Sequence, residues 1–173
     1  LTPSLPHAGA VTWAEFSPDG QHVATAAADG KARVWDAATG QLILSPLEHP
    51  AQVFAACFSP NGETLLTFAE DRTVRLWRAM TGHLLASTFR HGSQVTAAGF
   101  NPNGSVVLTA TENGNVRLWD LGLGKELTEP MSHPQVVLSA RFSPDGQRLV
   151  TACFDGLVRL WDARSGQMLS EVG

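Results

Sequence analysis

Lysine is nearly absent from this chain: Lys31 and Lys125 stand against ten arginines in 173 residues, and the net charge is −4. Such a balance offers no basic field to gather a phosphate backbone or an anionic lipid surface, so neither nucleic acid nor membrane is expected as a partner. No run approaches the roughly 20 apolar residues of a spanning helix, and no charged start followed by an apolar core marks a signal peptide. The chain opens at Leu1 rather than at a methionine, which leaves room for a longer parent chain and a targeting signal ahead of it. Cysteine is scarce as well. Cys57 and Cys153 fall at different places in the pattern described next, match no metal-ligand spacing and form no disulfide framework. They read as small buried hydrophobes of a reducing compartment, which points to the cytoplasm and to no metal and no cofactor. No segment reads as a helix.

What is present is a repeat. Histidines recur at 7, 49, 91 and 133, tryptophans at 35, 77, 119 and 161, and phenylalanines at 16, 58, 100 and 142, always 42 residues apart. A fixed period of this length marks an array in which one supersecondary unit is copied and each copy buries its apolar faces against its neighbours. Four units account for all but five residues.

The unit at 133–173 shows the local structure. Val136 to Phe142 is an extended apolar run, Pro144-Asp145-Gly146 supplies the turn, and Gln147 to Cys153 returns as a second strand. Asp155-Gly156 turns the chain again into Leu157 to Asp162, and Ser165-Gly166 leads into Gln167 to Val172. Each unit is therefore predicted to be a four-stranded antiparallel meander. Pro46 and Pro130 fall in the fourth strand of their units, and a residue without a backbone donor is tolerated mainly at an edge, so that strand should be outermost.

The dipeptides Trp35-Asp36, Trp119-Asp120 and Trp161-Asp162, with Trp77-Arg78 as the one departure, follow strands that read Val74-Arg75-Leu76-Trp77, Val116-Arg117-Leu118-Trp119 and Val158-Arg159-Leu160-Trp161. Along essentially its whole length the chain resembles the WD-repeat β-propeller family. The resemblance implies an all-β chain of four blades at approximately 7–48, 49–90, 91–132 and 133–173, with 1–6 as the fourth-strand remnant of a preceding blade. It also implies a hydrogen-bonded chain in each blade: His7, Thr25, Asp29 and Trp35; His49, Thr67, Asp71 and Trp77; His91, Thr109, Asn113 and Trp119; His133, Thr151, Asp155 and Trp161. The turn carboxylate is expected to fix the imidazole tautomer, so Asn113, which keeps an acceptor but loses the charge, should weaken the third network. The family's usual glycine before the histidine is absent, its place taken by Pro6, Glu48, Arg90 and Ser132.

A hydroxyl, a histidine and an aspartate also make up a hydrolase triad. Four superposable copies, each tied to a tryptophan and none on an exposed nucleophile turn, fit a structural device instead, so no catalytic residue is expected. The recurrent Arg33, Arg75, Arg117 and Arg159 alternate with apolar neighbours and are expected in blade packing or acidic-turn contacts rather than anion capture.

A blade has two apolar faces and cannot cover both alone, so four in a row leave two faces bare. WD-type blades usually close at seven or eight, and two chains joined head to tail would give eight with no free end. The expected function is thus a non-catalytic protein-interaction scaffold, half of an eight-bladed propeller closed by homodimerisation. The alternatives are a self-assembling structural or engineered fragment without a partner of its own, and a fragment of a longer signalling protein. Residues 1–5 align with 169–173 and compete for one fourth-strand place. Trp13 stands where the other units carry Ala55, Ala97 and Ser139, which suggests that it fills the chain-to-chain junction. An unidentified protein or peptide is expected on the face presenting Gln52, Phe54, Glu70, Gln94, Glu112, Leu138 and Phe154, where aromatic side chains could anchor an interface.

Overall fold

A computed structural model describes residues 4–173, the side chains at 86 and 87 excepted. The described residues contain no helix, and the chain folds into four antiparallel sheets, each a propeller blade built from one continuous stretch. The first sheet comprises β1 (Val11–Phe16), β2 (His22–Ala27), β3 (Lys31–Asp36) and β4 (Leu47–Glu48). The second comprises β5 (Val53–Phe58), β6 (Thr64–Ala69), β7 (Thr73–Arg78) and β8 (Leu84–Arg90). In the third, β9 (Val95–Phe100), β10 (Val106–Thr111) and β11 (Asn115–Asp120) are followed by two short pieces, β12 (Lys125–Glu126) and β13 (Met131–Ser132), both paired with β11. The fourth is β14 (Val137–Phe142), β15 (Arg148–Cys153), β16 (Val158–Asp162) and β17 (Met168–Val172).

The fourth strands differ from expectation where proline intervenes. Pro46 and Pro130 do not lie within a strand; each directly precedes a two-residue piece, β4 or β13. Proline has no backbone N–H to give to the ladder, so the outer strand is broken there. The second and fourth sheets have no proline in this stretch, and their fourth strands run for seven and five residues. Because β17 completes the last sheet from the C-terminal side, the fourth-strand place there is filled by the chain's own end. Of the segment 1–6, residues 1–3 lie outside the described residues, and Ser4 to Pro6 form no strand.

Each first strand carries a bulge. Pairing shifts register between Val11 and Trp13, Val53 and Ala55, and Val137 and Ser139, and beside Val95 in the third sheet. A bulge re-aims the extra side chain, and here it has a use. Thr12 donates from Oγ1 to the Val53 carbonyl at 2.6 Å, and Thr96 to the Val137 carbonyl at 2.6 Å, each tying a sheet to the next.

By contact the chain forms two compact units, one ending at Arg90 and the other spanning His91–Gly173. In the first, Ala24, Ala26, Ala32 and Val34 of one sheet meet Val53, Ala56 and Phe58 of the next. In the second, Ala97, Leu108, Ala110, Val116 and Leu118 meet Val137, Ala140 and Phe142. Alternation along the strands puts these residues on facing sides, and burying each large apolar side chain contributes about 1.5–3 kcal/mol.

Candidate functional site

The most ordered polar constellation lies within each blade. In the first, the Trp35 indole donates to Thr25 Oγ1 at 2.9 Å, and Thr25 Oγ1 lies 2.7 Å from His7 Nε2. His7 Nδ1 sits 2.8 Å from the Leu5 carbonyl, which can only accept. The imidazole proton is therefore on Nδ1, Nε2 accepts from the hydroxyl, and the hydroxyl in turn accepts from the indole. The second blade repeats this with Trp77, Thr67, His49 and the Leu47 carbonyl, and the fourth with Trp161, Thr151, His133 and the Gly114 carbonyl. The imidazole and indole rings lie 5.1–5.4 Å apart, tilted, in all three.

The turn aspartates take another partner. Asp29 receives both terminal nitrogens of Arg33, at 2.7 and 3.2 Å, Asp71 receives those of Arg75, and Asp155 lies 2.7 Å from Arg159 Nη2. Contrary to the expectation from sequence, a backbone carbonyl fixes the tautomer, and the carboxylate instead anchors the arginine of the third strand. The i,i+4 spacing from the turn aspartate to the arginine of the third strand is visible in the sequence and carries this contact. Arg159 holds the Asp155 carboxyl down to about 2, and Arg33 likewise lowers that of Asp29. Burial drives the His49 imidazole down to about 4, with the Arg75 charge adding to it, and burial also lowers His133.

The third blade departs. Trp119 still donates to Thr109 at 2.9 Å, but neither ring nitrogen of His91 has a hydrogen-bond partner among the described residues. Its ring stands edge-on to Trp119 at 84°, unlike the other three. Asn113 accepts from Thr111 Oγ1 at 2.7 Å, and Arg117, with no aspartate four residues before it, pairs with Glu126 at 3.2 Å. Burial and the nearby Arg117 charge push His91 down to about 4.

Of the residues expected at a partner face, the structure brings together Gln52 with Glu70, and Gln94 with Glu112, through backbone bonds of 2.9 Å. Phe154 is joined to Val136 in the same way, close to the bulge at Leu138. Phe54 is half-buried against Phe68, their ring centroids 6.4 Å apart, whereas Leu138 and Phe154 are exposed. No group of three His, Cys, Asp or Glu side chains among the described residues could hold a metal ion.

Trp13 packs, half-buried, against the cluster that joins the first two sheets. Exposure lies elsewhere. Phe16 is 65% exposed, whereas its counterpart Phe58 is 7% exposed. On the last sheet Val150 and Val158 are 40% and 45% exposed, whereas their counterparts Leu108 and Val116 are 1% and 0%. The residues that build the joint inside each unit are thus repeated, uncovered, on the first and last sheets. Sequence periodicity marked these positions but not which copies were uncovered.

The family model described as "WD domain, G-beta repeat" matches residues 2–36, 40–78, 82–120 and 124–162. Each matched segment ends at the residue after the tryptophan, one strand out of phase with the sheets. A comparison with curated proteins finds no significant match. Among solved structures the chain is similar to the computationally designed Ika8 protein, at 30% identity and a TM-score of 0.85. That match covers 96% of this chain and 50% of the other, so the chain spans about half the length of the structure it resembles.

Proposed function

This chain belongs to the WD40 family of G-beta repeats, and from that premise we propose that it is a non-catalytic protein-interaction scaffold, half of an eight-bladed propeller completed by a second copy of itself. WD repeats indicate a protein-interaction scaffold, and this supports the general part of the reading. Against catalysis stand the threonine hydroxyls: Thr25, Thr67, Thr109 and Thr151 are buried and accept from an indole, so no substrate in solvent reaches them. A reducing compartment such as the cytoplasm is proposed because Cys57 and Cys153 fall at different places in their repeats and match no disulfide framework.

The observation that carries the second-copy reading is the pair of bare sheet faces, one around Phe16 and one around Val150 and Val158. Both are apolar, and both repeat surfaces that are covered inside the units. A partner protein or peptide is proposed on the side that presents Gln52, Phe54, Glu70, Gln94, Glu112, Leu138 and Phe154. Mass in solution tests the assembly: about twice the chain's 18.5 kDa supports it, and 18.5 kDa at all concentrations removes it.

A second reading is favoured by the same faces. Further repeats of a longer chain, as in a signalling protein carrying a larger array, would cover them equally well. That reading gains if the isolated chain aggregates and a chain extended by natural neighbouring repeats does not.

A further inference from the structure

The joint inside each unit supplies a template for the surface left bare. There the downstream sheet places the phenylalanine that ends its first strand, Phe58 or Phe142, against strands two and three of the upstream sheet. In the second unit those strands contribute Leu108, Val116 and Leu118. Counterparts one repeat on are Val150, Val158 and Leu160, apolar and of similar volume. The counterpart of Phe58 one repeat back is Phe16. The first sheet carries the knob, and the last sheet carries the surface that receives it.

We infer that two copies close head to tail, with Phe16 of one seated on Val150, Val158 and Leu160 of the other; this rests on the second-copy reading and names its contact. Three observations favour a second copy as the occupant. The two faces match each other by the pattern that already packs within the chain, so no unrelated partner is required. Each sheet is complete in its own strands, so the joint is made by side chains alone and exchanges no strand. Leu138 occupies the bulge site where Thr12 and Thr96 send a hydroxyl to the next sheet. It cannot donate, and it is 55% exposed beside the free face, opposite the position that Val11, 51% exposed, takes in the second copy. The seam between copies therefore lacks the threonine hydrogen bond that Thr12 and Thr96 make inside the two units.

Area decides between a closed pair and an open string. A face of four strands, about 4.8 Å apart and about five residues long at about 3.4 Å each, covers about 300 Å². One seam buries two such faces, about 600 Å², which is the size of a weak contact. Two seams in one closed pair reach about 1,200 Å², the lower bound of a stable interface. Closure also leaves no free face to recruit a third copy.

Phe16→Glu and Val150→Glu, compared with the parent and with Leu123→Glu on an exposed turn, test the seam by sedimentation across a dilution series. Placing a carboxylate in an apolar joint should raise the dissociation constant about 100-fold or more for the first two, while Leu123→Glu remains paired. A paired parent whose Phe16→Glu and Val150→Glu variants stay paired overturns the seam and leaves the second-copy reading standing. A parent that is single at every concentration overturns both. Should the variants fail to fold, hydroxyl-radical footprinting of the parent decides: Phe16 becomes reactive on dilution while Phe58 does not. Equal reactivity of Phe16 in concentrated and dilute samples overturns the seam.

Discussion

Three of the four network threonines, Thr25, Thr67 and Thr151, serve both an indole and an imidazole with one oxygen. In the second blade Thr67 accepts from Trp77 and donates to His49, so Thr67→Val keeps the volume and strips both partners. Its expected cost is about 2–4 kcal/mol, since unsatisfied buried groups carry their full desolvation penalty. Thr109 serves only the indole of Trp119, and Thr109→Val should cost about 1–2 kcal/mol. Urea denaturation of the two variants measures the difference, and equal losses would contradict the geometry. Asn113→Asp is the converse experiment. It places a carboxylate four residues before Arg117, as in the other blades, and should add about 1 kcal/mol by the same assay, most of it drawn from a partly buried charge-assisted pair. The Asp and Arg of this pair were readable as a recurrent i,i+4 spacing. That a carbonyl and not the carboxylate orients the histidine was not readable, because backbone positions enter the sequence only through the fold.

At the scale of the element, the aspartate after the tryptophan has a local task. Asp36 accepts from the backbone of Ala38 and Thr39 and from the Thr39 hydroxyl, and Asp162 does the same with Arg164 and Ser165. Such side-chain bonds preorganise the turn into the fourth strand. The second blade carries Arg78 there and lacks this closure. Arg78→Asp should raise the midpoint of thermal unfolding by a few degrees, corresponding to about 0.5–1 kcal/mol. A drop would show that Arg78 makes a contact of greater value. Strand limits were legible to within a residue in the last unit, because alternation and Gly-containing turns are local signals. The bulge in every first strand and the interruption before β4 and β13 were not, since both are settled by pairing with a neighbouring strand.

For the whole molecule, acid is the informative perturbation. His49 and His91 titrate near 4 when folded, and His133 is also lowered, against about 6.5 in an unfolded chain. Protonation is thus favoured in the unfolded state, and the stability these groups contribute is complete above about pH 6.5 and is lost as pH falls toward 4. Between pH 7 and 5 the loss should be about 1–2 kcal/mol for each strongly shifted histidine. Asp29 and Asp155, held low by their arginines, add a further loss only below about pH 4. Free energies from urea melts at pH 7, 6 and 5 check the window, and a flat profile down to pH 5 would refute the buried neutral histidines.

Sequence alone determined the period of 42, the meander in each unit, the recurrent threonine and tryptophan that pair in every blade and the apolar character of both sheet faces, because these follow from spacing and alternation along the chain. The tertiary structure decided which copies of an equivalent residue are covered. Phe16 and Phe58 hold the same place in the same motif, and one is bare while the other is buried. That difference arises from the neighbour each sheet happens to have, and a neighbour is a property of the assembled chain.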